Sequence, residues 1–261
     1  PGPVIPILHR DAELLVVDKP AGLLTHRTEL APDRDVAMMR ARDTLQALLD
    51  AERVAAEAPE HGERSPVSRQ PGTGEETANT TAAYVYPVHR LDRGTSGALA
   101  FALTEDAARS YRTAFDEGRV EKVYYALARG TMPAEAHVEY AIPKAEGKER
   151  VMAVTDFRLL HAGEWFCLVE ARPRTGKFHQ IRRHLAHLRH PIAGDTNYGT
   201  GWFTRKVREE GGLLRLGLHA SSITLPGPPH DPSSITVRAP LASDFREALL
   251  RFGVPEALVA T

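Results

Sequence analysis

The sequence predicts an α+β fold built on a mixed, largely antiparallel β-sheet with flanking helices. Apolar runs of strand character outnumber amphipathic helical segments, and the two do not alternate as regular βαβ units would require. The chain has 261 residues, of which 42% are hydrophobic and 26% charged, so one globular core of useful size is possible. We therefore expect a single domain over residues 1–261.

The predicted strands are short apolar runs bounded by turn residues. The first, Leu14–Asp18, ends at Lys19-Pro-Ala-Gly22, where Pro and Gly indicate a turn. The other predicted strands cover residues 98–103, 122–129, 165–171, 216–225 and 234–238.

Helices are predicted where apolar residues recur at helical spacing. Thr104 is placed to cap one helix and Gly118 to end it, and Ser243 is placed to cap the last helix. The predicted helical segments cover residues 33–49, 104–118, 179–188 and 243–252.

Residues 58–81 differ in composition from the rest of the chain. They are rich in Pro, Gly, Ser, Thr and Glu and almost lack large apolar side chains. Such a segment buries too little surface to offset the entropy of ordering it, so we expect a disordered insertion.

Cysteine and apolar residues limit the class of protein. The single cysteine, Cys167, excludes an internal disulfide framework and a Cys-rich zinc site, and its apolar neighbours indicate a buried position on a strand. No apolar stretch approaches the ~20 residues that cross a membrane, and the first residues do not resemble a signal peptide. We therefore expect a cytoplasmic protein without membrane contact.

The net charge of −1 conceals an uneven distribution of charge. Residues 172–215 contain ten Lys or Arg against three acids, a local charge of +7, whereas residues 50–80 carry seven acids against three bases, a local charge of −4. A neutral chain can thus present a basic face that holds phosphates, although a solvated helix face is the alternative.

Three segments contain residues suited to catalysis or RNA binding. In 88–97, two glycines make a tight turn and Asp92 lies between Arg90 and Arg93, which favours an ionised carboxylate; a structural Asp that caps the loop is the alternative. In 172–195, a turn leads into a basic helix whose N-terminus suits phosphate. In 122–125, adjacent tyrosines point to opposite faces of a strand, so one is expected in the core and the other towards a cleft.

Four histidines in the second segment raise the question of a metal site. They are His179, His184, His187 and His190. Their spacing matches no compact ligand set and no cysteine lies nearby, so we expect no metal. His184 falls on the apolar face of the predicted helix and is expected to pack in the core.

Together these motifs resemble the RluA family of RNA pseudouridine synthases. The resemblance rests on His89-Arg-Leu-Asp-Arg-Gly-Thr-Ser-Gly97, Arg174-Thr-Gly-Lys-Phe-His-Gln-Ile-Arg182, Lys19-Pro-Ala-Gly-Leu-Leu-Thr-His26 and Leu218-His-Ala-Ser221. It runs from about Ile7 to Phe252. Residues 26–28, 33–35, 38–43 and 183–192 look most like the tRNA pseudouridine synthase C subgroup. The chain departs from that subgroup at Tyr198, where His is expected, and in the insertion.

The resemblance implies a fold, a reaction and a set of site residues. It implies the pseudouridine synthase fold and the isomerisation of a uridine in structured RNA, with the T-arm of tRNA expected as the substrate and 23S ribosomal RNA as the alternative. Asp92 is then the catalytic carboxylate, as nucleophile or as base, Arg182 its ion-pair partner, and Tyr124 the ring that stacks on the target base. The reaction needs no redox change and no outside group, so no cofactor is implied.

The resemblance also implies an RNA-binding set around the catalytic residues. The target uridine must leave its helix to be reached, and Arg90 could fill the vacated stack. The remaining members, expected to hold phosphate and ribose, are His89, Arg93, Arg174, Lys177, His179 and Arg183. We expect a monomer whose partner is RNA.

Two functions of other classes stay open at this point. One is a metal-dependent RNA hydrolase that uses the histidines and Asp195, which sensitivity to a chelator would indicate. The other is an RNA-binding protein without turnover, which binding without conversion of uridine would indicate.

Overall fold

The computed structural model describes residues 3–26, 35–57, 83–144, 149–227 and 233–260. The predicted insertion, residues 58–81, lies outside these ranges, so its disorder stays a prediction. No helix in the described ranges is long and apolar enough to cross a membrane.

One ten-stranded sheet forms the centre of the described structure. Its strands are β1 (Ile7–Arg10), β2 (Leu14–Lys19), β3 (Tyr86–Pro87), β4 (Ser96–Ala102), β5 (Glu121–Arg129), β6 (Glu135–Pro143), β7 (Arg150–Ala162), β8 (Phe166–Pro173), β9 (Leu218–Pro226) and β10 (Ser234–Arg238). The main path runs β1-β2-β4-β9-β5-β8-β7-β6, with β3 paired to β4 and β10 to β9. Every pairing of named strands is antiparallel except that of β4 with β9, which confirms the predicted mixed, largely antiparallel sheet.

Helices cover both faces of this sheet. They are α1 (Ala37–Glu57), α2 (Glu105–Asp116), α3 (Gln180–His187), α4 (Gly201–Lys206) and α5 (Ser243–Arg251), followed along the chain by short π and 3₁₀ turns at 207–211 and 256–258. Leu45 of α1 and Leu185 of α3 belong to one buried cluster with alternate residues of β2, β4 and β5. Tyr111 of α2 and Phe245 of α5 belong to clusters on the opposite face.

The predicted helix ends are partly right. Thr104 accepts a hydrogen bond from the Ala107 amide at 3.1 Å, and Gly118 follows the end of α2 with a φ of 72°, as expected of a cap and a terminator. The predicted cap at Ser243 is wrong, because Ala242 occupies that position and the first-turn amide of Phe245 donates to the Asp244 carboxylate instead.

The β6–β7 hairpin was not predicted, although it supplies one side of the sheet. In β6, Glu135, His137 and Glu139 are polar, and the fully buried apolar positions are Val138 and Ile142. Two buried apolar residues are too few to show the alternation of apolar and polar residues that predicts a strand. The short strands β1 and β3 were not predicted either. The six strands that were predicted differ from the observed ones by at most two residues at either end, with β4 beginning at Ser96 and β9 at Leu218.

The single parallel contact of the sheet directs the chain segment that carries Asp92. β4 meets β9 at Ser96–His219 and Gly97–Ala220, directly after the 88–95 loop. Gly97 has a φ of 107°, and a Cβ atom there would lie 2.2 Å from the Ala220 carbonyl oxygen. Only glycine lets the two backbones approach so closely, so this residue determines where the loop enters the sheet.

Candidate active site

A cleft of about 780 Å³ opens between the 88–95 loop, β5 and the N-terminal end of α3. Asp92, Tyr124, His179 and Arg182 all line it, so the fold brings together residues that are far apart in the sequence. Cationic side chains surround them: Arg90, Lys122, Lys144, Arg174 and Lys177. The cleft therefore combines the carboxylates of Asp92 and Asp116 with a basic wall, which suits a polyanionic substrate.

Asp92 and Arg182 form the ion pair that the motifs implied. Arg182 Nη1 donates to Asp92 Oδ2 at 3.0 Å, and the Arg182 side chain is 7% exposed against 22% for Asp92. Burial works against the charge of the guanidinium, but its hydrogen bonds to Asp195 and Asp92 and the charges of these carboxylates outweigh burial and raise the pKa of Arg182. The carboxylate thus faces the cleft while its counter-charge stays buried behind it.

Asp195 anchors Arg182, a role that the sequence did not reveal. Arg182 Nε and Nη2 each donate to one oxygen of Asp195 at 2.8 Å, and Nη2 also donates to Asn197 Oδ1 at 2.9 Å. The Asp195 carboxylate is fully buried and also accepts from the Asn197 and Tyr198 amides. Its burial raises its pKa, but the Arg182 bonds and charge outweigh this and lower it. This bidentate grip fixes the guanidinium plane and leaves Nη1 for Asp92.

The Lys19–His26 motif holds the Asp92 loop from behind. The buried Lys19 Nζ donates to the carbonyls of Leu23 at 2.6 Å, Pro20 at 2.9 Å and Arg93 at 3.3 Å. Thr25 bonds the backbone of Leu91 in both directions at 3.1 Å. The loop is therefore tied down on both sides of Asp92. The immediate role of the Lys19–His26 motif is structural, and no hydrophobic periodicity in the sequence predicts that role.

Tyr124 and Tyr125 point to opposite faces of β5, as predicted. Tyr124 is buried and lines the cleft, whereas Tyr125 packs against the cluster on the other face. Burial, and then the charge of Asp92, raise the pKa of Tyr124 above its ordinary value. Its phenol stays protonated at neutral pH, so it can stack and donate but has little capacity to act as a base.

His179 lies against Asp92 inside the cleft. Its Nε2 is 3.7 Å from Asp92 Oδ2, and its Nδ1 is 3.1 Å from the hydroxyl of Tyr198. Burial lowers its pKa and the nearby Arg182 and Arg183 lower it further, against the charges of Asp92 and Asp195. The ring is therefore neutral at physiological pH.

His89 does not fit the role expected of it. Its Nε2 accepts a hydrogen bond from the Ala100 amide at 2.9 Å, and its ring stacks on Phe115 at 4.8 Å between centroids. Burial, with Lys122 nearby, lowers its pKa to about 3. His89 is therefore no phosphate-binding cation and braces the loop against β4. With Nε2 occupied, Nδ1 is the ring nitrogen left to contact RNA, and that contact stays a prediction.

The cationic members of the expected set lie around the cleft. Arg90 and Arg93 are exposed on the Asp92 loop, and Lys177 is exposed on the turn before α3. Arg174 is exposed and pairs with Asp156 at 2.5 Å. Arg183 is partly buried, with its guanidinium 5.3 Å from the Tyr198 ring. Of these five cations, Arg90, Arg174 and Lys177 line the cleft itself.

The four histidines of this segment do not converge. His184 is buried as predicted and bonds Thr155 at 2.9 Å, His187 stacks on Tyr140, and His190 bonds the Arg129 carbonyl at 2.8 Å. Within the described ranges, no group of three or more His, Cys, Asp or Glu is placed to hold a metal ion.

Comparison with known proteins adds a family to this geometry. A family model described as RNA pseudouridylate synthase matches residues 13–187. The protein named tRNA pseudouridine synthase C of Vibrio cholerae serotype O1 is 31% identical over 278 residues, covering 98% of this chain and 99% of that protein. The protein of the same name from Salmonella typhimurium is 31% identical, with 96% and 90% covered.

Solved structures resemble the fold. The structure titled Human RNA Pseudouridylate Synthase Domain Containing 4 superposes with a TM-score of 0.70 at 23% identity, over 95% of this chain and 93% of that one. Human RNA Pseudouridylate Synthase Domain Containing 1 gives a TM-score of 0.64 at 24% identity, over 92% and 85%. At these identities the likeness concerns the fold alone, and it agrees with the fold expected from the sequence.

Proposed function

The chain belongs to the RNA pseudouridylate synthase family and is an isomerase that acts on RNA; we propose that its substrate is a tRNA, at a uridine of the T-arm, and that Asp92 is its catalytic carboxylate. The assignment of Asp92 rests on its ion pair with Arg182 in a basic cleft. Arg182 is buried, and Asp195 anchors it. Relatives of similar length that are named tRNA pseudouridine synthase C support tRNA as the substrate.

The reaction exchanges one glycosidic bond for another without gain or loss of atoms. The N1–C1′ bond breaks, the uracil turns, and a C5–C1′ bond forms, while the C5 proton leaves and N1 becomes protonated. Asp92 contributes as an anion, either by attacking as a nucleophile or by taking a proton as a base, and the guanidinium of Arg182 stabilises that anion.

Tyr124 contributes an apolar platform next to the carboxylate. It is buried in the cleft wall, and the raised pKa of its phenol favours stacking on the uracil over proton removal. Arg90 is exposed at the cleft mouth on the same loop as Asp92, where it could replace a flipped base in the stack. Arg93, Arg174, Lys177 and Arg183 would then hold the backbone on either side.

We further propose that the chain acts as a single domain and a monomer. The contacts that join Asp92, Arg182 and Asp195 are completed within one chain, and Tyr124 of the same chain lines the cleft beside them. Light scattering of the protein with and without bound RNA tests this. A mass of one chain per RNA is expected, and a stable dimer would contradict it.

The central test is Asp92→Asn, with Asp106→Asn as the matched control on the exposed first turn of α2. Asn keeps the shape but loses the charge, the nucleophilicity and the basicity, so tritium release from C5-labelled uridine in tRNA should fall to background. RNA affinity should change little, since phosphate contacts come from Arg and Lys. Turnover near that of the unmodified protein would refute the assignment of Asp92. Turnover by the unmodified protein on 23S ribosomal RNA but not on tRNA would refute the substrate alone.

A further inference from the structure

Three side chains form a line that ends at the candidate catalytic carboxylate. The Tyr198 hydroxyl is 3.1 Å from His179 Nδ1, and His179 Nε2 is 3.7 Å from Asp92 Oδ2. The His179 side chain is 15% exposed and its ring stacks on Phe178, with 3.7 Å between centroids. The ring is therefore held in a fixed orientation between a hydroxyl and a carboxylate.

Electrostatics decides where the ring carries its proton. A neutral imidazole has one N–H and one lone pair, and a lone pair facing an anionic carboxylate is repelled. The charge of Asp92 thus favours a hydrogen on Nε2, and the Tyr198 hydroxyl secures that tautomer by donating to Nδ1. The charged groups that face His179 are Asp92, Asp195, Arg182 and Arg183, and burial together with the two cations keeps the ring neutral.

Tyr198 also contacts the cations of the site. The guanidinium carbons of Arg182 and Arg183 lie 5.2 and 5.3 Å from its ring centroid. Those distances allow cation–π attraction, which fixes the phenol in place and directs its hydroxyl at His179.

Both contacts to the Asp92 carboxylate fall on the same oxygen. Arg182 Nη1 donates to Oδ2, and His179 Nε2 faces Oδ2 as well. In the described part of the chain, Oδ1 accepts no hydrogen bond. Oδ1 is thus the oxygen available to a substrate, and a group that holds Oδ2 determines where Oδ1 points.

We propose that Tyr198 and His179 are positioning residues for Asp92: Tyr198 fixes the tautomer of a neutral His179, whose Nε2–H holds Oδ2 and so directs Oδ1 at the substrate. The inference rests on the proposed catalytic role of Asp92. The present 3.7 Å separation exceeds a hydrogen bond, and catalytic contacts of this kind commonly tighten when substrate binds.

The backbone of His179 supports a functional reason for histidine here. Its φ is 53°, in the left-handed region that a residue other than glycine rarely adopts. Asn and His both tolerate this conformation better than Gln, so a purely structural role predicts that an Asn variant outperforms a Gln variant. A residue kept in a strained conformation at a cleft is characteristic of a site where the side chain matters.

The test compares His179→Gln with His179→Asn. The amide nitrogen of Gln can occupy the place of Nε2 and donate to Oδ2, whereas the shorter Asn reaches only the place of Nδ1. We expect kcat of the Gln variant to exceed that of the Asn variant about tenfold, the effect of roughly one hydrogen bond, with similar KM. A backbone role predicts the reverse order, so equal values or a faster Asn variant would overturn the proposal.

Tyr198→Phe tests whether the Tyr198 hydroxyl fixes the tautomer of His179, a role called the tautomer lock below. Tyr125→Phe, on the opposite face of the sheet, is its control. The ring and its contacts with the two guanidinium groups remain, so the melting temperature and KM should hold while kcat falls about fivefold to tenfold. In the His179→Gln background the same change should cost less than about twofold, because an amide needs no tautomer lock. An equal loss in both backgrounds would refute the coupling.

These outcomes are separable from failure of the proposed function. If Asp92→Asn is as active as the unmodified protein, the catalytic assignment fails and the His179 series loses its premise. If Asp92→Asn is inactive but the Gln and Asn variants rank in the opposite order, the assignment stands and the positioning role alone is refuted.

Discussion

At the residue scale, the central feature of the site is that the guanidinium of Arg182 donates hydrogen bonds to two carboxylates. Two of its nitrogens serve Asp195, and a third serves Asp92. Two anions share this one cation, so the cluster has a residual negative charge, which the charge of Lys19 opposes at Asp92. The Asp92 carboxylate is thus paired through Oδ2 with a buried guanidinium and still faces the cleft, with 22% of its side chain exposed.

Arg182→Lys should therefore abolish most of the activity while leaving RNA binding nearly unchanged. A single ammonium cannot reproduce the bidentate grip on Asp195 and still reach Asp92 in the same geometry. We expect turnover to fall about a hundredfold or more, which corresponds to roughly 3 kcal/mol of lost transition-state stabilisation. Turnover on labelled RNA and affinity by filter binding are measured on the same preparation.

Arg182→Ala is a poorer probe, because it leaves the Asp195 carboxylate buried without a counter-charge. That loss should destabilise the fold by about 3–5 kcal/mol and obscure the effect on catalysis. If Arg182→Lys lowers affinity and turnover to the same extent, Arg182 is a phosphate clamp and the ion-pair role is wrong.

Lys19 adds a second residue-scale prediction, on pH. Burial lowers its pKa to about 7, whereas the unfolded chain keeps a value near 10.5. Between those values the unfolded state binds more protons than the folded state, so stability should rise with pH through this window. Relative to Lys19→Met, the unmodified protein should gain at most about 1.4 kcal/mol per pH unit between pH 7 and 9.

Denaturant unfolding of both proteins at pH 7, 8 and 9 checks this. The difference between them is the relevant quantity, because every other titrating group is present in both. A difference that stays constant, or shrinks as the pH rises, would show that Lys19 remains charged in the folded protein.

Motif spacing identified part of the site, and tertiary contacts decided the rest. Asp92 and Arg182 were expected to meet because both stand in long ordered motifs, and they do. Asp195 was noted only as a metal ligand, since nothing local shows that its carboxylate is buried against a guanidinium. The resemblance implied that His89 contacts RNA, and nothing local shows that its Nε2 accepts from the Ala100 amide instead.

At the scale of elements, the position of Asp92 depends on the junction between β4 and β9. Lys19 and Thr25 hold the loop from the side of β2, and Gly97 fixes the point at which it enters the sheet. Strands with apolar cores, such as β2 and β4, were predictable from composition. The crossing of β4 against β9 was not, because it brings together Ser96 and His219, which are 123 positions apart in the sequence.

Gly97→Ala should destabilise the protein by more than about 1 kcal/mol, since it combines a disfavoured φ with a clash. Its Cβ would lie 2.2 Å from the Ala220 carbonyl oxygen, which is backbone and cannot rotate away. Gly176→Ala is the matched control, because a Cβ there meets nothing within 4 Å. The melting temperature of Gly97→Ala should fall by several degrees and that of Gly176→Ala should hardly move. Equal shifts would mean that the β4–β9 junction yields easily and does not fix the loop.

The whole molecule combines a near-neutral charge with a cleft lined by cations, so the acidic residues must lie elsewhere. Residues 58–81 contribute four acids and two bases, and they connect the end of α1 to the chain near Ala83. Gln46 of α1 bonds the Ala83 amide at 2.7 Å, and α1 continues to Glu57. Eleven residues of helix span about 16 Å, so any replacement for the segment must reach back over that distance.

Deleting residues 58–81 and joining the ends with eight Gly and Ser residues should leave the fold and the activity intact. Eight extended residues reach about 26 Å, enough to return along α1 without pulling Ala83 away from Gln46. Because the segment has a net charge of −2 and almost no large apolar side chains, the melting temperature should change by less than about 3 °C. The affinity for tRNA should stay equal or rise slightly at low salt as repulsion decreases.

The control replaces the segment with 24 Gly and Ser residues, which keeps the loop length and removes the sequence. A large fall in melting temperature in both variants would show that the segment packs on the described structure, and a loss of turnover in both with unchanged stability would show that it contacts the RNA.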